Sequence, residues 1–204
     1  NLKRVLVIQT AFLGDVILAS PIWENLHQQF PEAQIDVVVK KGNEALLAEH
    51  PFLNQVYTFD KRQKLKNLWK LGKQLRQQRY ELVINLQRFA SSGLLTFLTR
   101  AKESRGFQKN PLSFLYSKRF QHELKEGWHE VDRNLQLIAD LVTQPKKRPQ
   151  LYPTLSDIEK ISSFQTSSYY CLAPTSVWFT KQAPKKIWLA LIEKLASPEV
   201  KIYL

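Results

Sequence analysis

Apolar positions along the chain change period several times, and the changes mark its elements. Val5-Leu6-Val7-Ile8 is an unbroken, mostly β-branched run of the kind buried on both faces of a sheet, so Arg4 to Gln9 is expected as a strand. Helical spacing follows through Val16, Ile17, Trp23 and Leu26 to Phe30-Pro31. Pro21 inside it either kinks that helix or opens a fresh one with Ser20 as N-cap. Ile35 to Val39 and Gln55 to Phe59 read as strands, with a short helix from Asn43 to Glu49 between them. Leu65, Leu68, Trp69, Gly72 and Leu75 then recur at helical spacing and predict one apolar stripe. Glu81 to Leu86 is a further strand, Ser91 to Arg100 and Glu130 to Val142 are helices, and Ser104 to Phe107 is a short extended piece. Strands alternating with helices in this way predict βαβ units, a parallel sheet covered on both faces, and a Rossmann-like α/β fold.

The pattern breaks at Gln144-Pro145-Lys146-Lys147-Arg148-Pro149, a Pro- and charge-rich stretch expected to be a linker. It then restarts with a strand at Tyr169 to Ala173, a helix at Lys185 to Ala196 and a strand at Val200 to Leu204. The expected organisation is a Rossmann-like domain over residues 1–150 and the beginning of a second over 151–204. A length of 204 residues suits one domain plus part of another. The single cysteine, Cys171, excludes a disulfide framework and a cysteine zinc cluster, and its apolar neighbours predict a buried strand position. Lys3-Arg4 before an apolar run resembles a secretory signal, but Gln9, Thr10 and Asp15 interrupt it, so a cytoplasmic protein is expected. No run of apolar residues reaches the roughly 18 needed to span a membrane.

Charge adds a partner class. Thirty Lys and Arg against 18 Asp and Glu give a net charge of +12, which attracts anionic surfaces and ligands. From Lys61 to Arg79 there are eight basic residues and no acidic one. Two readings of that helix stay open: a solvated outer face, or a surface that docks on acidic lipid or saccharide through Arg62, Lys64, Lys66, Lys70 and Lys73. Nucleic acid is not expected as a partner, because no zinc-finger spacing, aromatic RNA-binding motif or helix-turn-helix accompanies the charge.

Ligands of open parallel sheets bind beyond the carboxyl ends of the strands, and two loops qualify. Thr10-Ala11-Phe12-Leu13-Gly14-Asp15 carries one glycine instead of the three of a dinucleotide cradle, and a carboxylate at a helix start repels a pyrophosphate. Asp15 reads equally as a helix N-cap or as a general base for a hydroxyl, and one group can do both. The second loop, Ala173 to Lys181, gathers hydroxyls, backbone N–H groups and a lysine near a helix start, a natural diphosphate site or else an ordinary polar loop.

At these loops the chain resembles glycosyltransferase family 9, the ADP-heptose:lipopolysaccharide heptosyltransferases. The resemblance rests on Arg4 to Gln9 through Gly14-Asp15-Val16-Ile17-Leu18-Ala19-Ser20-Pro21, on Phe30 to Val39, His50-Pro51, Arg79 to Gln87, His129 to Arg133, and Ala173-Pro174 to Lys181 with Pro184. It implies a GT-B fold with an acceptor-binding first domain and a nucleotide-sugar-binding second domain. It further implies inverting transfer of heptose from ADP-heptose to the inner core of lipopolysaccharide, without cofactor or essential metal, by a peripheral protein at the cytoplasmic face of the inner membrane. By position, Asp15 matches the catalytic base, Lys181 the lysine on the donor diphosphate, and Thr175, Ser176 and Thr180 the loop lining it. Thr175 and Phe179 stand where the family usually has Gly, and Gln182-Ala183 where it has Arg-Trp, which leaves another nucleotide sugar open. A non-catalytic half that binds an acidic glycolipid is the alternative. The family's later Asp-Thr-Gly loop would fall beyond Leu204, so the chain is expected to be a fragment, inactive alone.

Overall fold

The computed structural model describes residues 2–123, 126–165, 167–176 and 178–204, with the side chain of Lys64 also outside the description. Two compact units divide the chain, Asn1–Tyr152 and Pro153–Leu204.

The first unit is a six-stranded, all-parallel sheet in the order β3-β2-β1-β4-β5-β6. Its strands are β1 (Arg4–Gln9), β2 (Gln34–Lys40), β3 (Leu53–Phe59), β4 (Leu82–Asn85), β5 (Glu103–Phe107) and β6 (Lys118–Phe120). β1 is central, with Val7 opposite Val37 on one side and Ile84 on the other. Its continuous apolar run follows from that position, because alternate side chains enter two different cores. Val5 and Val7 pack with α1 (Leu13–Gln29) and α4 (Glu130–Leu135), whereas Leu6 and Ile8 pack with α2 (Lys64–Gln77) and α3 (Ala90–Thr99).

Two buried charged groups of this unit are well partnered. Asp36, 2% exposed in β2, accepts from Tyr80 Oη at 2.5 Å and Asn54 Nδ2 at 2.8 Å. Burial, reinforced by that bond, pushes the Tyr80 hydroxyl far above its ordinary pKa. Arg105, fully buried in β5, donates to Glu103 at 2.6 Å, to the Leu137 carbonyl at 2.9 Å, and to both carboxylate oxygens of Asp140.

Several expectations are corrected. Helix α1 begins at Leu13 and runs unbroken through Pro21. The proline has no N–H for the Ile17 carbonyl, and Ser20 Oγ donates to that oxygen at 2.8 Å instead. Glu130 to Val142 is not one helix: α4 stops at Leu135 and continues as a 3₁₀ turn over Gln136–Ile138. The expected linker is a strap on α1. Asn25 exchanges two hydrogen bonds with the Lys146 backbone at 2.7 and 2.8 Å, Gln150 N–H donates to Ser20 Oγ at 2.9 Å, and Tyr152 Oη donates to Glu24 at 3.3 Å. The apolar stripe of α2 divides: Leu68, Gly72 and Leu75 face inward with Leu71, whereas Leu65 and Trp69 point out at 70% and 58% exposure.

The second unit holds α5 (Leu155–Ser162), α6 (Lys185–Leu195) and a parallel pair, β7 (Tyr169–Cys171) and β8 (Lys201–Tyr203). A capping box opens α5, with Thr154 Oγ1 accepting from Asp157 N–H at 3.0 Å. Cys171 is exposed, not buried, because the two-stranded sheet leaves it uncovered.

Candidate active site

Strands β1 and β4 lie side by side, and the chain leaves them toward opposite edges of the sheet, so the crevice beyond their carboxyl ends is its switch point. After Gln9 the chain crosses in three residues to α1. Phe12 is the N-cap but carries no side-chain acceptor, and Asp15 supplies one from the first turn: Phe12 N–H donates to Asp15 Oδ2 at 3.2 Å. Asp15 is therefore not the N-cap itself, though it caps the helix from its third position, worth about 0.3–1 kcal/mol with the helix dipole. Its Oδ1 makes no hydrogen bond among the described residues, and a Cβ placed on Gly14 beside it would meet nothing within 4 Å. The carboxylate thus has one oxygen fixed by the helix start and one without a hydrogen-bond partner among the described residues.

The floor of the crevice is a layer of buried amides that reading along the chain did not single out. Gln9 and Gln87 bond side chain to side chain across the switch point. Asn85 donates to Tyr116 Oη at 2.8 Å and accepts from Gln87 N–H at 2.8 Å. Asn110 donates to the Gln87 and Phe89 carbonyls, each at 3.0 Å, and accepts from Leu112 N–H at 2.9 Å. Asn43 holds the Ala11 carbonyl at 3.0 Å, which steadies the loop before Asp15. Two glycines allow this packing: a Cβ on Gly93 would collide with Asn110, and one on Gly106 would lie 2.5 Å from the Tyr116 ring. The signal in the sequence is that apolar strand runs each close on an amide, Gln9 in β1 and Asn85 in β4.

Around this floor the rim is aromatic and cationic. Phe12 and Phe89, N-caps of α1 and α3, are both exposed, and Lys40 Nζ lies 5.6 Å from the Phe12 ring centre. His122 follows β6 with its ring edge on Phe107 and its buried Nδ1 unpartnered. Burial holds the His122 pKa below its ordinary value; Lys109 and Arg88 add to that, and Glu130 opposes it. Arg88 and Lys109 are themselves exposed. Among the described residues no three His, Cys, Asp or Glu side chains converge as a metal site.

The remaining predicted residues fall into two groups. In the second unit, Thr175, Ser176, Thr180 and Lys181 share one stretch of chain, Lys181 closing a 3₁₀ turn over Phe179–Lys181. Ser176 Oγ accepts from Trp178 N–H at 3.1 Å, and the Ser176 carbonyl from Gln182 Nε2 at 2.5 Å. Thr175, Thr180 and Lys181 are exposed. The turn stands before α6, whose N-cap is Pro184, so the lysine is not in the helix's own first turn. In the first unit, Arg62 precedes α2 and contacts Asp60 at 3.5 Å, while Lys66, Lys70 and Lys73 are exposed on α2; the Lys64 side chain lies outside the described residues.

A profile of glycosyltransferase family 9 (heptosyltransferase) matches residues 68–204, about two thirds of the chain. The chain belongs to glycosyltransferase family 9. A curated relative, lipopolysaccharide heptosyltransferase 1 of Pseudomonas aeruginosa, is 27% identical over 207 aligned residues, covering 95% of this chain and 58% of the relative. Two solved structures superpose over 98% of the chain: the family 9 glycosyl transferase of Veillonella parvula, with TM-score 0.85, 20% identity and 61% of its own length covered, and E. coli ADP-heptose lps heptosyltransferase II, with TM-score 0.80, 21% identity and 63% covered. The fold of this family 9 chain is thus GT-B-like α/β: a six-stranded Rossmann-like unit and part of a second. It spans about three fifths of the length of these proteins.

Proposed function

We propose that this family 9 chain works in an inverting glycosyltransferase that moves heptose from ADP-heptose to the inner core of lipopolysaccharide. Residues 1–150 hold the acceptor and residues 151–204 contribute to the donor site. The observation that carries the reading is Asp15, a carboxylate with a free oxygen at the mouth of the switch point. In the reaction Asp15 takes the proton of the acceptor hydroxyl as its oxygen attacks the anomeric carbon from the face opposite the leaving group. The bond from that carbon to the diphosphate oxygen breaks, and the departing ADP keeps the electron pair. Lys181, with the hydroxyls of Thr175, Ser176 and Thr180, stabilises that developing charge. The exposed Arg88 and Lys109 at the rim suit an anionic core acceptor.

The acceptor is a glycolipid, so the protein works at the cytoplasmic face of the inner membrane, with Arg62, Lys64, Lys66, Lys70 and Lys73 toward anionic headgroups. Among the described residues no helix is long and apolar enough to cross a membrane.

The test is Asp15→Asn in the full-length gene product with ADP-heptose and a lipopolysaccharide-core acceptor. Asn keeps an acceptor for Phe12 N–H, so folding is retained while kcat falls by about 10²–10⁴. Retention of most of the activity would remove Asp15 as base. Preference for a different nucleotide sugar would move the donor assignment and leave Asp15 untouched.

A further inference from the structure

The flank shared by α2 and α3 combines unpaired cations with exposed large apolar side chains. Several cations elsewhere sit in ion pairs, as Lys41 does with Asp60, Lys102 with Glu81, Lys118 with Asp140 and Lys147 with Asp132, while others, such as Arg88 and Lys109, are exposed singly. Lys66, Lys70, Lys73, Arg76 and Arg100 have no side-chain partner among the described residues, and neither α2 nor α3 contains an acid. Between the helices runs a groove of about 640 Å³, with Gly72 and Leu98 in it and Trp69 and Phe97 beside them. A Cβ on Gly72 would come 2.7 Å from Leu98 Cδ1, so the bare backbone there is what lets the helices close to this spacing. Trp69 and Phe97 are 58% and 53% exposed, and Leu65 is exposed one turn earlier on α2. Large apolar side chains ringed by unpaired cations match the face of a peripheral protein that enters the headgroup–acyl boundary.

We propose that this flank is an anionic-lipid dock: Trp69 and Phe97 enter the acyl boundary of the leaflet, the groove accepts one acyl chain, and Lys70, Lys73, Arg76 and Arg100 take the phosphates. The inference rests on the membrane contact proposed above and deepens it. It replaces a purely coulombic touch with apolar insertion and adds Arg76 and Arg100. A second copy of the chain is disfavoured as occupant, because a self-complementary contact through this face sets cations against cations. Lipid phosphates supply the missing charge, and acyl chains cover the aromatic rings.

The experiment measures partition of the whole chain onto vesicles of mixed phosphatidylglycerol and phosphatidylcholine, and onto phosphatidylcholine alone, at low and high salt. Expected are binding to the anionic vesicles only, and a residual binding at high salt that screening does not remove. Trp69→Ser with Phe97→Ser lowers binding about tenfold or more at every salt concentration. Lys73→Gln with Arg76→Gln and Arg100→Gln lowers it about hundredfold at low salt, near fivefold per charge, and little at high salt. Leu65→Ser, away from the contact between the helices, shifts binding in the same direction as the aromatic pair should that pair disturb the fold. If the chain binds anionic vesicles and both apolar variants bind equally well, the dock is overturned and the coulombic reading stands. If the chain binds no anionic vesicle, both fail. A dimer in sedimentation that Trp69→Ser dissolves, or displacement from vesicles by a stoichiometric oligonucleotide, assigns the flank to another partner and overturns the proposal.

Discussion

Asn1–Tyr152 and Pro153–Leu204 are written in the same alternating pattern, yet they spend it differently. In the first unit the central strands lie between two helical layers, and Val5, Leu6, Val7 and Ile8 are all fully buried. In the second, not one described residue is buried, although α6 carries Ile187, Leu189 and Leu191 and α5 carries Leu155, Ile158 and Ile161. Amphipathic helices and β-rich runs specify local conformation in both. Only a sheet wide enough to be covered converts that pattern into a core, and two strands are too few. Among the described residues the same pattern therefore comes with a core in one unit and without one in the other.

The largest expected effect tests that difference directly. Leu6→Ala in β1 costs about 2–5 kcal/mol, whereas Ile187→Ala in α6 stays within about 0.5 kcal/mol, both from denaturant unfolding. Hydrogen exchange sharpens it: amides of β1 and β4 open only with the whole first unit, while those of β7 and β8 exchange by local opening. Comparable costs at the two positions would break the comparison. Next, Tyr80→Phe removes one of the two donors to buried Asp36 and costs about 1–3 kcal/mol.

A pH effect is smaller and confined to the first unit. Arg105, chiefly, and Lys118 hold the Asp140 carboxyl down at about 2. Its folded value is depressed, so the stabilisation is present above the ordinary carboxylate range near 4 and is lost as pH falls from about 4 through 2. The carboxylate is half exposed, and after allowing for solvent screening the contribution is about 1 kcal/mol. Thermal unfolding from pH 5 to pH 2 should show a shallower loss in Asp140→Asn than in the original protein. Last, Thr154→Ala weakens α5 by about 1 kcal/mol, read as faster exchange of its first-turn amides, and leaves the unfolding of Asn1–Tyr152 unmoved.

What was legible in the sequence follows the same division. Strands buried on both faces, β1 and β2, announce themselves by their apolar runs, Val5 to Ile8 and Val37 to Val39. β6, the three-residue edge strand Lys-Arg-Phe, has no such signal, since an edge strand is charged by the same logic that keeps it from pairing outward. α5 announces itself only by the capping-box spacing of Thr154 and Asp157, since its three apolar residues, Leu155, Ile158 and Ile161, span less than two turns. Leu65 and Trp69 share the apolar stripe of α2 yet stay exposed, because helical spacing assigns a face without saying how far the neighbouring layer reaches. At the site, Asp15 was visible as an acid in a short strand-to-helix loop. The amide floor was not, because Gln9, Asn43, Asn85, Gln87 and Asn110 come from four separate stretches that meet only when the sheet forms.

One consequence of Pro21 concerns mechanics. The gap it leaves in the helix ladder is filled by Ser20, whose hydroxyl also receives Gln150 N–H, and within the next five residues Glu24 and Asn25 grip Tyr152 and Lys146. A pull on the chain beyond Tyr152 is therefore borne first by one side of α1, as a shear on a handful of hydrogen bonds. One of its routes to the sheet is the helix that carries Asp15 at its head, beside the Arg105 contacts to Leu137 and Asp140.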